Sequence, residues 1–161
     1  MKSDPSQKSY TVKEATLKLA QYCAYRDRSQ KEVEDKLREM RMIPQACEQI
    51  IIALMREDFL NEERFARSFV RGKFRIKKWG KIKITQELKK KEISAPIIKL
   101  GLTEIDQSEY LKILHQVAEK KFKLIKETDP FKKKKKLCDY LLQRGFEYNL
   151  VYELSNDFIK N

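Results

Sequence analysis

One arrangement of residues recurs three times along this 161-residue chain. A leucine lies in a polar, helix-favouring stretch, an apolar residue follows five positions later, then comes a break and a second apolar helical pattern. It reads Leu37 to Met42, Leu88 to Ile93 and Leu141 to Phe146, with steps of 51 and 53 residues between the leucines. Self-similarity at such a period marks a helical repeat array, whose units bury their apolar faces against one another. An array of this kind offers a long outer surface rather than a pocket. Its function lies in what that surface grips.

Helix chemistry runs throughout. Charged residues make up 37% of the chain against only four glycines and four prolines, and no stretch alternates as a strand would. Thr11 with Glu14 and Ser29 with Glu32 have the spacing of capping boxes. Pro44 suits a first helical turn, Asn61 is a good N-cap before Glu62 and Glu63, and Asp129-Pro130 pairs an N-cap with proline at the first helical position. Inward stripes are expected at Ala15, Leu19 and Tyr22; Val33, Leu37 and Met40; Cys47, Ile50, Ile51, Leu54 and Met55; and Phe65, Ala66, Phe69 and Val70. Ile84 and Leu88 follow after a strongly basic stretch from Gly72 to Trp79-Gly80, with Ile82 placed before the helix and Gly101 ending the next one. Leu111, Leu114, Ala118, Phe122 and Ile125, then Leu137, Tyr140 and Leu141, then Phe146, Leu150, Val151, Leu154 and Phe158 complete the set. The expected fold is all-α: three tandem three-helix repeats in an elongated, curved array. Its units are residues 10–56, 57–102 and 103–161, after a flexible segment over 1–9.

Charge narrows what the surface could hold. The chain carries 36 Lys and Arg against 24 Asp and Glu, a net +12. Residues 71–91 alone contribute +9 and residues 120–136 a further +7, so the remainder is slightly acidic. Two concentrated basic blocks point to a polyanion, or to an assembly built on one. The candidate contact residues are Arg71, Lys73, Arg75, Lys77, Lys78, Lys81, Lys83, Lys89 and Lys90, joined by the run Lys132, Lys133, Lys134, Lys135 and Lys136. Phe74 and Trp79 interleave with the first block and are able to stack on a base or anchor in a protein pocket; Trp79 before Gly80 equally suits a plug between units. Consecutive lysines at 132–136 point all round a helix, so some must lay their stems over apolar neighbours.

Nothing points to catalysis. There is no glycine-rich phosphate loop, no nucleophile with a base near it in sequence, and a single histidine, His115, beside an apolar stripe. Glu62 and Glu63 are explained by the helix dipole. Cys23, Cys47 and Cys138 lack metal-ligand spacing and read as free thiols of a reducing cytosol. No catalytic residue, metal or cofactor is expected. No apolar run approaches the ~20 residues of a membrane span, and Met1 to Ser9 lacks the apolar core of a signal peptide. A cytoplasmic monomer is the expectation.

Four stretches complete the reading: Tyr25-Arg26-Asp27-Arg28-Ser29 before Glu32 and Leu37; Phe59-Leu60-Asn61-Glu62-Glu63-Arg64-Phe65-Ala66; Trp79-Gly80-Lys81 through Glu87-Leu88; and Leu141-Leu142-Gln143-Arg144-Gly145-Phe146. In their order and spacing, from about Ala15 to Asn156, the chain resembles the RecX family of recombination regulators. That family often ends the middle helix of each unit with glycine. Gly145 fits, but Arg41 and Glu92 stand at the equivalent places, which predicts blunter helix ends there, and Glu62 stands where aspartate is usual. The resemblance implies a protein of DNA repair, homologous recombination and the SOS response. It implies binding to the RecA filament on single-stranded DNA, restraint of filament extension, ATP hydrolysis and strand exchange, and possible direct DNA contact. It supplies no catalytic or ligand residues. The basic residues alone leave another reading open, a stand-alone nucleic-acid-binding protein using helix-turn-helix-like units.

Overall fold

The computed structural model describes residues 8–160. Residues 1–7, most of the segment expected to be flexible, lie outside the described part. Among the described residues there are nine α-helices and no strand: α1 Val12–Tyr25, α2 Gln30–Glu39, α3 Pro44–Arg56, α4 Glu62–Arg75, α5 Lys81–Lys90, α6 Ala95–Leu102, α7 Gln107–Leu124, α8 Pro130–Gln143 and α9 Tyr148–Lys160. Consecutive helices pack in threes: α1 and α2 on α3, α5 and α6 on α4, and α7 and α9 on α8. We refer to these groups as units one, two and three.

The helices start where local chemistry dictates. Thr11 with Glu14 and Ser29 with Glu32 both form reciprocal capping boxes. The Asn61 side chain accepts from the Arg64 N–H, and Asp129 accepts from Phe131 and Lys132 ahead of Pro130 at N1.

The recurring leucine-to-apolar pair proves to be a helix-ending hydrogen bond. The Met42 N–H donates to the Leu37 carbonyl (3.1 Å), Ile93 to Leu88 (3.1 Å) and Phe146 to Leu141 (3.2 Å). An inner bond accompanies each: Arg41 to Arg38, Glu92 to Lys89 and Gly145 to Leu142. This is the Schellman closure, which needs a left-handed residue between the two partners. Gly145 supplies it at φ 95°, and Arg41 and Glu92 adopt it at φ 60° and 59°. The blunter ends expected at Arg41 and Glu92 are therefore absent. Burial of Leu37, Leu88, Ile93, Leu141 and Phe146 holds the turn closed against the backbone strain.

Five expected placements change, the first being Met55, which is 41% exposed on α3 and not part of its inward stripe. Helix α4 runs through Gly72 to Arg75, which buries Phe74 at 1% exposure in the core against Tyr110, so Phe74 cannot stack on a base. Ile82 lies inside α5, on its exposed side. Gly101 does not end α6 but lies within it, where a Cβ would approach Ala66 of α4 to 3.2 Å. The inward stripe of α7 begins at Tyr110, which is wholly buried, while Leu111 is 43% exposed.

Two hydrophobic cores result. Unit one buries Ala15, Leu19, Val33, Leu37, Ile50 and Leu54 in one cluster, sealed by Leu60. Units two and three share the other, in which Phe74, Ile84, Leu88, Tyr110, Leu141 and Phe146 are in one continuous cluster. The accessible surface of 10885 Å² exceeds the roughly 8,500 Å² of a compact monomer of this mass, as an elongated array requires.

The helix ends yield a paired prediction. Glu92→Gly relieves left-handed strain and should raise stability by about 0.5–1 kcal/mol after the extra entropy of an unfolded glycine is counted. Gly145→Ala meets positive φ and a Cβ 2.3 Å from that of Lys83, and should cost at least about 2 kcal/mol. Chemical denaturation of the two variants beside the parent chain measures both; shifts of the same sign would refute the strain argument.

Candidate nucleic-acid interface

The first basic block is built around the meeting of units two and three. Gly80 is the N-cap of α5 and has no side chain to offer. Unit three does the capping instead. The Gly80 N–H donates to the Arg144 carbonyl (2.9 Å), the Ile82 N–H to the Gly145 carbonyl (3.0 Å) and the Lys81 N–H to the Tyr110 hydroxyl (3.0 Å). The orphan donors of α5 thus meet the orphan acceptors at the end of α8, with the positive end of one helix dipole against the negative end of the other. The approach is so close that a Cβ on Gly80 would sit 2.2 Å from the Gly145 carbonyl group.

Tyr110 completes the joint. Its hydroxyl donates to Glu147 while accepting from Lys81. Burial, together with the Glu147 carboxylate, pushes the phenol well above its ordinary pKa, so it remains a donor throughout the working pH range. From the other side Arg144 donates to the carbonyls of Lys77 and Lys78. These bonds hold the turn between α4 and α5, in which Lys78 is left-handed at φ 57°.

The candidate residues divide by what they touch. Arg71 pairs with Glu104 (3.1 Å) and Lys90 with Glu87 (3.0 Å). Lys81 donates to Gln107 and lies over the Tyr110 ring. Lys73 and Lys83 both hold their ammonium groups over Trp79, at 5.0 and 4.5 Å, and Trp79 is half-buried against the shared core. Among the described residues Arg75, Lys77, Lys78 and Lys89 are exposed and lack a carboxylate partner. These four, flanked by Trp79 and its two lysines, form the part of the block open to an anion.

The second block is largely occupied. Lys133 lies 4.0 Å from the Phe122 ring centre, Lys134 lies over Tyr152 and donates to Asn156, Lys135 pairs with Asp139 (2.9 Å) and Lys136 with Glu127 (3.2 Å). Lys132 is exposed with no such partner among the described residues. The run ends nine residues before Gly145, about 13 Å along α8, so the fold does not merge the two blocks into one patch.

The joint between units one and two is ionic. Arg64 pairs with Asp27 (2.7 Å) and with Asp58 (3.0 Å), and Lys91 pairs with Glu32 (2.9 Å). The hydrogen bond that Arg64 donates to Asp27 raises the Arg64 pKa, so its charge is constant. Burial beside Glu34 pushes the Glu62 carboxyl up. His115 is exposed next to Glu119 and Phe158. The pairs Arg64–Asp27 and Lys91–Glu32, like the bonds that join units two and three, carry no local sequence signal, because their partners lie tens of positions apart. Tyr110, Arg144 and Glu147 were missed for that reason.

The fold and its joints define a class: a tandem array of three-helix units with an exposed basic turn at its middle. A family model for the second three-helix domain of RecX matches residues 61–102, and one for the third matches residues 108–154. The regulatory protein RecX of Clostridium acetobutylicum is 37% identical over 131 residues, covering 79% of this chain and 60% of that protein. The RecX of Pelodictyon phaeoclathratiforme is 32% identical over 126 residues, covering 78% of this chain and 77% of the relative. The crystal structure of RecX from Lactobacillus salivarius superposes with a TM-score of 0.82 at 25% identity, covering 93% of this chain and 97% of that one. The chain belongs to the RecX family, whose named members are regulatory proteins. The matched region spans about three-fifths of the length of the Clostridium relatives.

The joint gives a direct test. Tyr110→Phe keeps the ring between Phe74 and Phe146 but leaves the half-buried Lys81 N–H without its acceptor. The expected cost is about 1–3 kcal/mol, read as a lower denaturation midpoint with an unchanged slope. An unshifted midpoint would show that the phenol anchors nothing.

Proposed function

We propose that this protein regulates the RecA recombinase, mainly as an inhibitor, by binding the RecA filament on single-stranded DNA and restraining its extension, ATPase and strand exchange. The observation that carries the reading is the turn between α4 and α5, where Arg75, Lys77 and Lys78 are exposed without acidic partners, joined by Lys89 in the last turn of α5. A positive surface of that kind suits an acidic filament groove or DNA phosphates. Family membership supports the regulatory half of the reading.

The array supports the choice of an assembled target. A 14-residue helix is about 21 Å long, so three units side by side span more than one subunit of a helical polymer. Several weak contacts made together bind a lattice far better than a free subunit. Restraint then follows from binding alone, acting in the cytoplasm on the assembled state, with no catalytic step by this chain.

A salt-series titration of RecA ATPase on single-stranded DNA tests the reading. Inhibition is expected at concentrations well below those that coat the DNA. Reversing Arg75, Lys77 and Lys89 to glutamate should weaken it at least about tenfold and flatten its salt dependence, with helix content unchanged. Reversing Lys135 and Lys136, which already have partners, should do much less. Unaltered inhibition by the first variant would remove the turn from the interface. Sequence-selective duplex binding without the recombinase would favour a stand-alone nucleic-acid reader.

A further inference from the structure

We propose that Tyr148 and Tyr152 on α9 form a stacking site for the bases of single-stranded nucleic acid, separate from the exposed basic turn. The two residues are one helical turn apart, and their rings lie 5.9 Å apart, tilted by only 20°. Tyr148 is 65% exposed and Tyr152 47%. Two large parallel rings held open to water bury little and add little to the core. Their geometry is that of a ready-made platform, onto which a flat aromatic ligand adds as the next ring.

Charge identifies the ligand. The Lys134 ammonium lies 4.2 Å from the Tyr152 ring centre and is held there by Asn156, one turn further along the same stripe. At the other end, Gly145 packs directly on Lys83 three residues before Tyr148. The tyrosines therefore lie along the α8–α9 pair, with the Lys134 ammonium at the Tyr152 end of the stripe and the backbone of Lys83 packed beside the turn that precedes Tyr148. Glu153 and Asp157 are each about 100° further round α9, which confines an anionic strand to the side facing α8. A stacked tyrosine pair with a lysine at one end, without a pocket to read base edges, suits an unpaired strand whose phosphates pass Lys134 while a base stacks on the outer face of Tyr148. A duplex keeps its bases stacked inside and offers nothing to this platform.

The inference rests on the filament reading only in taking single-stranded nucleic acid as ligand, and its test uses DNA without the recombinase. The full chain is titrated with a short oligothymidylate and with an abasic phosphodiester of the same length and charge, at fixed salt. Tyr148→Leu with Tyr152→Leu should weaken oligothymidylate binding by roughly tenfold or more and leave abasic binding unchanged. Tyr148→Trp should retain or tighten it. Equal losses on both oligomers, or no loss on oligothymidylate, would overturn the proposal. So would loss of filament inhibition with oligothymidylate binding intact, which would assign the tyrosines to a protein contact. If the double variant loses helix content, Tyr148→Leu alone carries the test, because that ring is the more exposed. Failure here leaves the ATPase titration, and the filament reading it probes, standing.

Discussion

The structure depends on the contact between two glycines in different units. Gly80 opens α5 and Gly145 closes α8; a Cβ on Gly80 would strike the Gly145 carbonyl group, and one on Gly145 would strike Lys83 of α5. Each solves the other's problem. The start of α5 has donors and no side chain to satisfy them, and the end of α8 has acceptors exposed by its left-handed turn. Joining them satisfies both sets without water and aligns the two helix dipoles. The buried core common to units two and three then forms around this fixed point, with the tilted rings of Phe74, Tyr110 and Phe146 packed together beside it.

The joint with unit one is of another kind. It relies on Arg64 with Asp27 and Lys91 with Glu32, all at partly solvated positions, and unit one has its own core. Exposed ion pairs of this sort contribute about 0–1 kcal/mol each and weaken with salt. Backbone interlock and a common core tie units two and three together; charge and the seal of Leu60 tie unit one to unit two. The four sequence stretches that mark the family are thus two halves of two joints. Asp27 of the first meets Arg64 of the second, and Gly80 of the third meets Gly145 of the fourth.

That pairing explains what the sequence shows and what it conceals. Helix starts were legible because a capping residue and its partner lie three positions apart. The repeat was legible for the same reason: Leu37 with Met42 and its two counterparts are one local hydrogen-bonded turn seen three times. Tyr110 escaped because its role is set by Lys81 and Glu147, neither of them nearby in the chain, and because Leu111 fits the same helical stripe by periodicity. Phe74 was misplaced because it lies among the basic residues that follow Gly72, yet glycine inside a packed helix costs only about 1 kcal/mol, less than burying a phenylalanine returns. The left-handed Arg41 and Glu92 show the same rule from the other side: closure over a buried leucine outweighs the strain of a side chain at positive φ.

Charge counting has its own limit. A run of lysines raises the local field whether or not those lysines are available, and here α8 uses most of its run on Phe122, Tyr152, Asp139 and Glu127. The turn between α4 and α5 differs because its side chains point away from the packing while its backbone is held from behind. Arg144 grips the carbonyls of Lys77 and Lys78, and the Trp79 N–H returns to the Lys73 carbonyl at 3.1 Å. A left-handed lysine without such restraints would relax, since the conformation costs of order 1 kcal/mol or more. The arginine of the α8 terminus therefore does two things at once. Its backbone caps α5, and its side chain fixes the turn from which the unpaired cations project, so the interlock that orders the fold also orders its exposed charge.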